Sequence, residues 1–394
     1  LYYGWKIVGA LFVTLTFCSG LGFYNHAVTL QALVAEKQLS VELASSAVSI
    51  FFLASGVVGM AIAALLDRHD VRLVITAGAL LASGSLLAIR YVSADWQVLI
   101  AYAFFGVGFA ASGLLSATTL ITRWFAAKRA LALSITSTGL SVGGILITPA
   151  SALLIEAVGI DDAVVVFAAA YLFGVIPLTW LFLVSWPADI GLQVDGGALT
   201  ADSVTTPTGT HFHESLREVY FWGLSVAYVF LMLAQVGALA HQYGLVAEHL
   251  SGEAAALALG VIPIASIIGR LAGGVLLSHF ASAPFAMGMM LLQSASLLML
   301  SQTSGLAMFI VGLALFGVSV GNLLMLQPLL IAETYGQRDY GKIYGLSNML
   351  TTAGIACGPY LLGLAYAEYG FYSASYLIAS AAGLIGFVIY RLTK

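Results

Sequence analysis

Long apolar stretches follow one another along this chain with only short polar breaks between them. A helix rises 1.5 Å per residue, so crossing a hydrocarbon core of about 30 Å takes about 20 apolar residues. Reading between charged or Gly/Pro-marked breaks gives twelve such segments, at 6–33, 43–66, 72–92, 96–121, 130–155, 162–185, 219–247, 254–279, 283–302, 305–332, 342–367 and 371–390. Of the 394 residues 61% are hydrophobic and 8% charged, which is too little charge to coat a water-soluble protein. In lipid each backbone polar group must be satisfied inside its own segment, so the expected fold is an all-α membrane protein of twelve transmembrane helices. The first apolar run, about Val8 to Val34, is too long for a cleavable signal peptide. Because Leu1 stands where Met would, a short preceding piece is expected. Cys18 and Cys357 are the only cysteines; they read as small core residues, not as a disulfide.

Lys and Arg orient the spans. With the N-terminus inside, the inner ends and loops hold Lys6, Arg68, Arg72, Arg123, Lys128, Arg129, Arg217, Arg338, Lys342, Arg391 and Lys394. The outer side holds only Lys37 and Arg90. This asymmetry needs an even number of spans and places both termini in the cytoplasm. The longest polar stretch, Pro187 to Arg217, reads as a cytoplasmic linker that includes His211 and His213. The domains expected are therefore a six-helix bundle at 1–186, the linker at 187–217 and a second six-helix bundle at 218–394.

The two halves echo one another. At an offset of 211 residues, Leu65-Leu66 falls on Leu276-Leu277, Phe105-Gly106-Val107 on Phe316-Gly317-Val318, and Gly143 on Gly354. One residue off that register, Leu33-Val34-Ala35-Glu36 recurs as Leu245-Val246-Ala247-Glu248. Two parallel six-helix repeats imply a carrier whose central cavity opens to each side in turn.

Four stretches point to a family. They are Tyr3-Gly4-Trp5 before the first span; Leu65-Leu66-Asp67-Arg68-His69-Asp70-Val71-Arg72 between spans 2 and 3; Arg123-Trp124-Phe125-Ala126-Ala127-Lys128-Arg129-Ala130-Leu131-Ala132, continuing through Gly139 to Gly143; and Pro187-Ala188-Asp189-Ile190-Gly191-Leu192 with Asp195-Gly196. Together they resemble the major facilitator superfamily, in particular the bacterial type of its monocarboxylate transporter and oxalate/formate exchanger branch. The second stretch is similar to the superfamily loop G-x-L-x-D-R-x-G-R-R. It departs from that pattern at Ala63 and Asp70, where glycines are usual, and at Val71, where Arg is usual. The resemblance implies a conformational latch built on Asp67, Arg68, Arg72 and Arg129, with Asp67 pairing with helix-end donors and basic residues such as Arg72 or Arg129.

Arg270 is the one charge deep inside a span, about sixteen residues from the outer end of span 8, in Gly269-Arg270-Leu271-Ala272-Gly273-Gly274. A central Arg costs about 2.5–3.5 kcal/mol on insertion scales and needs compensation. The acids of the spans lie near their ends, so a cation facing a cavity is the reading, and a guanidinium matches a carboxylate with two bonds. The plainer alternative is a snorkeling side chain, or a brace for helix carbonyls. In the family the resemblance implies, an Arg of span 8 contacts the substrate carboxylate. Span 11 carries no Lys, Arg or His between Tyr344 and Tyr366, so a monoanion such as lactate or pyruvate fits better than a dianion.

The polar residues Asn322, Ser112, Ser116, Tyr24 and Asn25 are further substrate-binding candidates, with helix–helix hydrogen bonding as the commoner use of such residues. His26 and His241 are candidates for a proton relay or gate, because imidazole titrates near neutrality. A proton is thus a candidate co-substrate. No phosphate loop follows any Gly run, no intramembrane cluster suits catalysis, and no cofactor or metal is expected. The expected protein is a monomeric secondary carrier of the bacterial inner membrane, with a small organic anion and the lipid bilayer as partners and no nucleic acid. The alternatives are an exchanger for an aromatic acid or a dicarboxylate, and a membrane sensor that binds without transport.

Overall fold

The computed structural model describes residues 2–39, 41–196, 208–250, 252–302 and 305–394. The middle of the expected linker, 197–207, lies outside them. Among the described residues, ten helices are long and apolar enough to cross a membrane, and one bent pair makes eleven. The shorter apolar helix Gly260–Leu276 supplies the twelfth span. The fold is all-α, twelve transmembrane helices in two six-helix repeats.

Contacts divide the chain into two compact units, Leu1–Thr208 with Gln337–Gly345, and Gly209–Gly336 with Leu346–Lys394. In the first unit the opening span is α1 (Gly4–Ser19), one π-helical turn (Gly20–Tyr24) and α2 (His26–Lys37). The second span is α3 (Val41–Val57) and α4 (Gly59–Arg68), bent by 42°. Then come α5 (Val71–Ala88), α6 (Asp95–Ser112) with α7 (Leu114–Trp124) broken at Gly113, α8 (Arg129–Val158) and α9 (Ile160–Phe182). Asp70 starts α5 as its N-cap, accepting the Arg72 N–H at 2.9 Å.

The second unit holds a short helix α10 (Phe212–Ser215), then α11 (Val219–Ala240) and α12 (Gln242–His249) separated at His241. It continues with α13 (Gly252–Leu276), α14 (Ser282–Gln302), α15 (Leu306–Tyr335), the main part of α16 (Tyr340–Tyr369) and α17 (Tyr372–Thr393). Pro149, Pro177, Pro263, Pro328 and Pro359 all lie inside helices. Neighbouring helices make such freed carbonyls tolerable in membrane proteins.

The sequence repeat has a packing cause. A Cβ on Gly106 of α6 would strike the carbonyl of Phe51 on α3; a Cβ on Gly317 of α15 would meet the carbonyl of Ile262 on α13 at 2.6 Å. Glycine and carbonyl are both displaced by 211 residues. Likewise Gly143 lies against the Thr16 carbonyl on α1 and Gly354 against the Val229 carbonyl on α11. Small residues let backbones approach where the surrounding lipid is as apolar as the side chains. What recurs at this spacing is therefore the set of close helix crossings within each bundle.

Candidate functional site

In the second unit Arg270 is fully buried. It sits where α13 crosses α15 over glycines: a Cβ on Gly269 would lie 2.8 Å from Val318 Cα, and one on Gly321 would strike the Ser266 carbonyl. At this crossing the two helices exchange hydrogen bonds. Arg270 Nε donates to the Gly321 carbonyl at 2.7 Å, and Asn322 Nδ2 donates to the Gly269 carbonyl at 2.9 Å and to Val318 O at 2.9 Å. Gly273 leaves the space that Asn322 Oδ1 fills, and that oxygen is buried with no hydrogen-bond partner among the described residues. Arg270 thus braces a helix carbonyl, as the plainer reading required.

The first-unit candidates fall in separate places. The Ser112 hydroxyl lies 2.9 Å from the Tyr171 hydroxyl and donates to Gly108 O at 2.8 Å; Ser116 donates to Ala111 O at 2.5 Å. Both hydroxyls are spent on helix packing. Tyr24 ends the π-helical turn, its ring over Gly144 of α8. Asn25, next along, is fully buried, and neither side-chain amide atom has a partner among the described residues. Such single π turns occur often at functional sites. His26 lies in a box of Phe51, Phe52, Tyr102 and Phe105 rings, 4.4–6.2 Å between centroids. Its Nε2 has no partner among the described residues. His241, at the α11–α12 break, donates from Nε2 to Pro359 O at 2.9 Å, which fixes that tautomer.

Asp67 does pair with a basic residue, but with a third arginine. Asp67 Oδ1 accepts from Arg123 Nη2 at 3.0 Å, not from Arg72 or Arg129. Arg72 Nε donates to Leu183 O at 2.7 Å and lies near Asp70 at 3.9 Å. Arg129 Nε donates to Phe125 O at 3.0 Å, and Arg68 is exposed at the end of α4. The reason is geometric: Arg123 closes α7, packed beside α4, and its buried guanidinium also reaches Leu66 O at 3.0 Å and lies 4.3 Å from the Trp186 ring.

Two clusters escaped sequence reasoning. In the second unit the buried side chains of Ser225, Gln327, Ser347 and Thr351 form a network: Ser225 to Ser347 at 2.8 Å, Gln327 Nε2 to Ser347 at 3.0 Å and to Thr351 at 2.9 Å. Gln327 next to Pro328 was its only sequence signal. In the first unit the three stretches Tyr3-Gly4-Trp5, Arg123–Ala132 and Pro187–Gly196 converge. Tyr2 OH donates to Trp124 O at 2.9 Å and to Gln193 O at 3.2 Å. Asp195 accepts from the Ala126 and Ala127 N–H groups at 3.1 and 2.8 Å. Residues 187–196 are thus docked on their bundle. Burial and the nearby Asp195 carboxylate push the Tyr2 phenol up to about 12.

A family model described as the Major Facilitator Superfamily matches residues 12–350 and 242–394. Among curated relatives, the MFS transporter asaE of Aspergillus flavus is 25% identical over 89% of this chain and 77% of its own. An MFS-type transporter of Gibberella moniliformis is 26% identical over 83% and 77%. The MFS-type transporter hasB of Aspergillus fumigatus is 31% identical over 41% of this chain, a match that spans only 36% of hasB. Among solved structures, the Escherichia coli fucose:proton symporter FucP superposes with a TM-score of 0.73 at 16% identity, covering 100% of both chains. The human organic anion transporter MFSD10 gives 0.70 at 13%, covering 98% of this chain and 99% of its own. With twelve spans in two repeats and a family match that runs from the first span to the last residue, this chain belongs to the Major Facilitator Superfamily, whose members are secondary transporters working by alternating access.

Proposed function

We propose that the protein carries a small monocarboxylate of the lactate or pyruvate kind, with the Arg270 guanidinium as the carboxylate-binding group. The observation that carries this is a guanidinium fully buried in span 8 at a glycine crossing, its plane fixed by the Nε bond to the Gly321 carbonyl. Asn322 adds a buried acceptor on the same crossing, suited to a substrate hydroxyl. Asn25 and Tyr24 at the π-helical turn are the first-unit contacts we favour, because the Asn25 amide is buried with its hydrogen-bonding capacity unspent. Of the two histidines, His241 is the better proton relay, since His26 is enclosed by rings. The charge asymmetry along the chain supports a plasma-membrane placement with both termini in the cytoplasm. A bacterial source rests on the resemblance of the segment after span 6; the curated relatives named above are fungal.

The test is uptake into liposomes of a panel of labelled carboxylates, with and without an imposed pH gradient. Lactate or pyruvate should enter faster than oxalate. Acceleration by an inward proton gradient identifies symport, and dependence on internal substrate identifies exchange. Arg270→Ala should lower uptake at least about thirtyfold, the scale of removing one member of a buried charge pair. Uptake like wild type in a folded Arg270→Ala protein overturns the proposal.

A further inference from the structure

We propose that Glu36 and Glu248 are positioning residues for the transport cycle, each clasping the second half of its bundle's broken first span to the start of that bundle's last helix. The observation is one contact made twice. Glu36, near the end of α2, accepts the backbone N–H of Ile160, the first residue of α9, at 2.8 Å. Glu248, near the end of α12, accepts the N–H of Tyr372, the first residue of α17, at 3.2 and 3.1 Å on its two oxygens. Carboxylate and amide are both displaced by 212 residues, the spacing at which Leu33–Glu36 recurs as Leu245–Glu248. The first N–H groups of a helix lack partners inside it and carry its positive dipole end, so a carboxylate there satisfies both needs.

A second observation says why a clasp is needed. Each clasped segment begins at a break in its span. The first follows the π-helical turn Gly20–Tyr24 and Asn25. The second follows His241, whose φ of −100° and ψ of 6° interrupt the helix. At such a break the i→i−4 ladder is interrupted, and the half-helix can bend against the first half. With the clasp closed it moves with its bundle; with the clasp open it swings about the break.

The two clasps are unequal. Beside Glu36, Lys37 Nζ pairs with Asp161 at 2.6 Å and donates to Arg90 O at 3.0 Å, while Arg90 pairs with Asp162 at 2.7 Å. At the same offset the second half has His249 for Lys37, Ser373 for Asp161 and Ala374 for Asp162. The first clasp is reinforced by two ion pairs, and among the described residues no ion pair stands beside Glu248. It follows that α12 is the half-helix released first in the cycle.

Amide hydrogen exchange on the full chain in lipid nanodiscs tests this without any substrate, so its failure and failure of the monocarboxylate reading are separate results. Glu248→Ala should speed exchange across 242–249 and at Tyr372 about tenfold, the scale of one lost charged hydrogen bond. Glu248→Gln, which keeps an acceptor, should restore most of the protection. Glu36→Ala should act less on 26–37, and Glu156→Ala, at an exposed carboxylate of α8, should change nothing. In liposomes Glu248→Ala should lower turnover with KM within about twofold of wild type. Unchanged exchange at 242–249 in Glu248→Ala overturns the proposal, as does faster exchange spread evenly through the second unit. If Glu248→Ala does not fold, Glu248→Gln decides alone: exchange about threefold faster at 242–249 supports the clasp, and wild-type exchange overturns it.

Discussion

Gly321→Ala is the sharpest test of the crossing that seats Arg270. A Cβ added at Gly321 would strike the Ser266 carbonyl oxygen and lie 2.9 Å from its carbon, separations real Cβ atoms essentially never show. The obstacle is backbone on α13, so no side chain can swing aside; the helices must part. Overpacking of this kind costs about 1–3 kcal/mol. Parting α13 from α15 also lengthens the Arg270–Gly321 and Asn322–Gly269 hydrogen bonds, for a further loss of about 1–2 kcal/mol, since interhelical bonds in membranes are individually modest. The sum is about 3 kcal/mol, a fall of at least about 5 °C in unfolding temperature. The assay is thermal unfolding of purified protein in detergent, with uptake measured on the same preparations. Gly288→Ala is the internal control: it lies in α14, exposed, with nothing within 4 Å of the added Cβ, and should stay within about 1 kcal/mol of wild type. Gly321→Ala unfolding together with Gly288→Ala, at undiminished uptake, would mean that the two helices do not cross at this distance and that Arg270 is not fixed by Gly321.

Asp67→Asn should destabilise the protein by about 1–3 kcal/mol, less than a wholly buried pair because Asp67 is partly exposed, and a double-mutant cycle with Arg123→Gln should return a coupling of about 1 kcal/mol or more; a coupling near zero removes Arg123 as the latch partner. Tyr2→Phe should flatten an alkaline loss of stability. The folded phenol titrates at about 12 against an ordinary value of 10.0, so the folded chain holds a proton that the unfolded chain has given up; the stabilisation is complete below about pH 10 and fades as pH rises toward 12. Identical pH–stability curves for the two proteins would contradict the Tyr2 docking. Arg270→Lys should cut uptake more than about tenfold while moving the unfolding temperature little, because Lys keeps charge and one donor but not the planar fork; uptake close to wild type would reduce Arg270 to a charged brace.

The span count was legible because lipid leaves a chain few options: each crossing must show a long apolar run, and all twelve did. The breaks at Asn25 and Gly113 were hidden for the same reason. A broken span keeps the composition of a straight one, and Gly113 is one of 42 glycines. The 211-residue offset was visible as Phe-Gly-Val repeated, but its cause, a glycine against a carbonyl two spans back along the chain, is a property of packing. Arg270 announced itself as a lone charge far from either end of its span. The partner of Asp67 did not, because Arg72, Arg123 and Arg129 are equally plausible by charge, and only the seating of α7 beside α4 selects Arg123. The knot of Tyr2, Trp124 and Asp195 joins stretches that are individually conspicuous and well apart in the chain, Tyr2 and Trp124 by 122 residues; sequence marks each stretch and says nothing of their meeting.

Bracing a helix and binding an anion are often set against each other as readings of an intramembrane arginine. On the monocarboxylate proposal the two are linked at Arg270. A guanidinium has five donors in a rigid plane, and Nε spends one on the Gly321 carbonyl. That bond fixes the plane of the guanidinium, removing rotamer freedom that a bound carboxylate would otherwise have to freeze. The glycines at 269, 273 and 321 make this geometry available by bringing α13 and α15 close enough for side chains to reach the opposite backbone. An arginine swung outward to lipid would need no such crossing and no Asn322 answering it from the other helix. The brace therefore pre-orients a buried guanidinium, and if Arg270 binds the carboxylate as proposed, any change that loosens the crossing should weaken that affinity even when Arg270 itself is untouched.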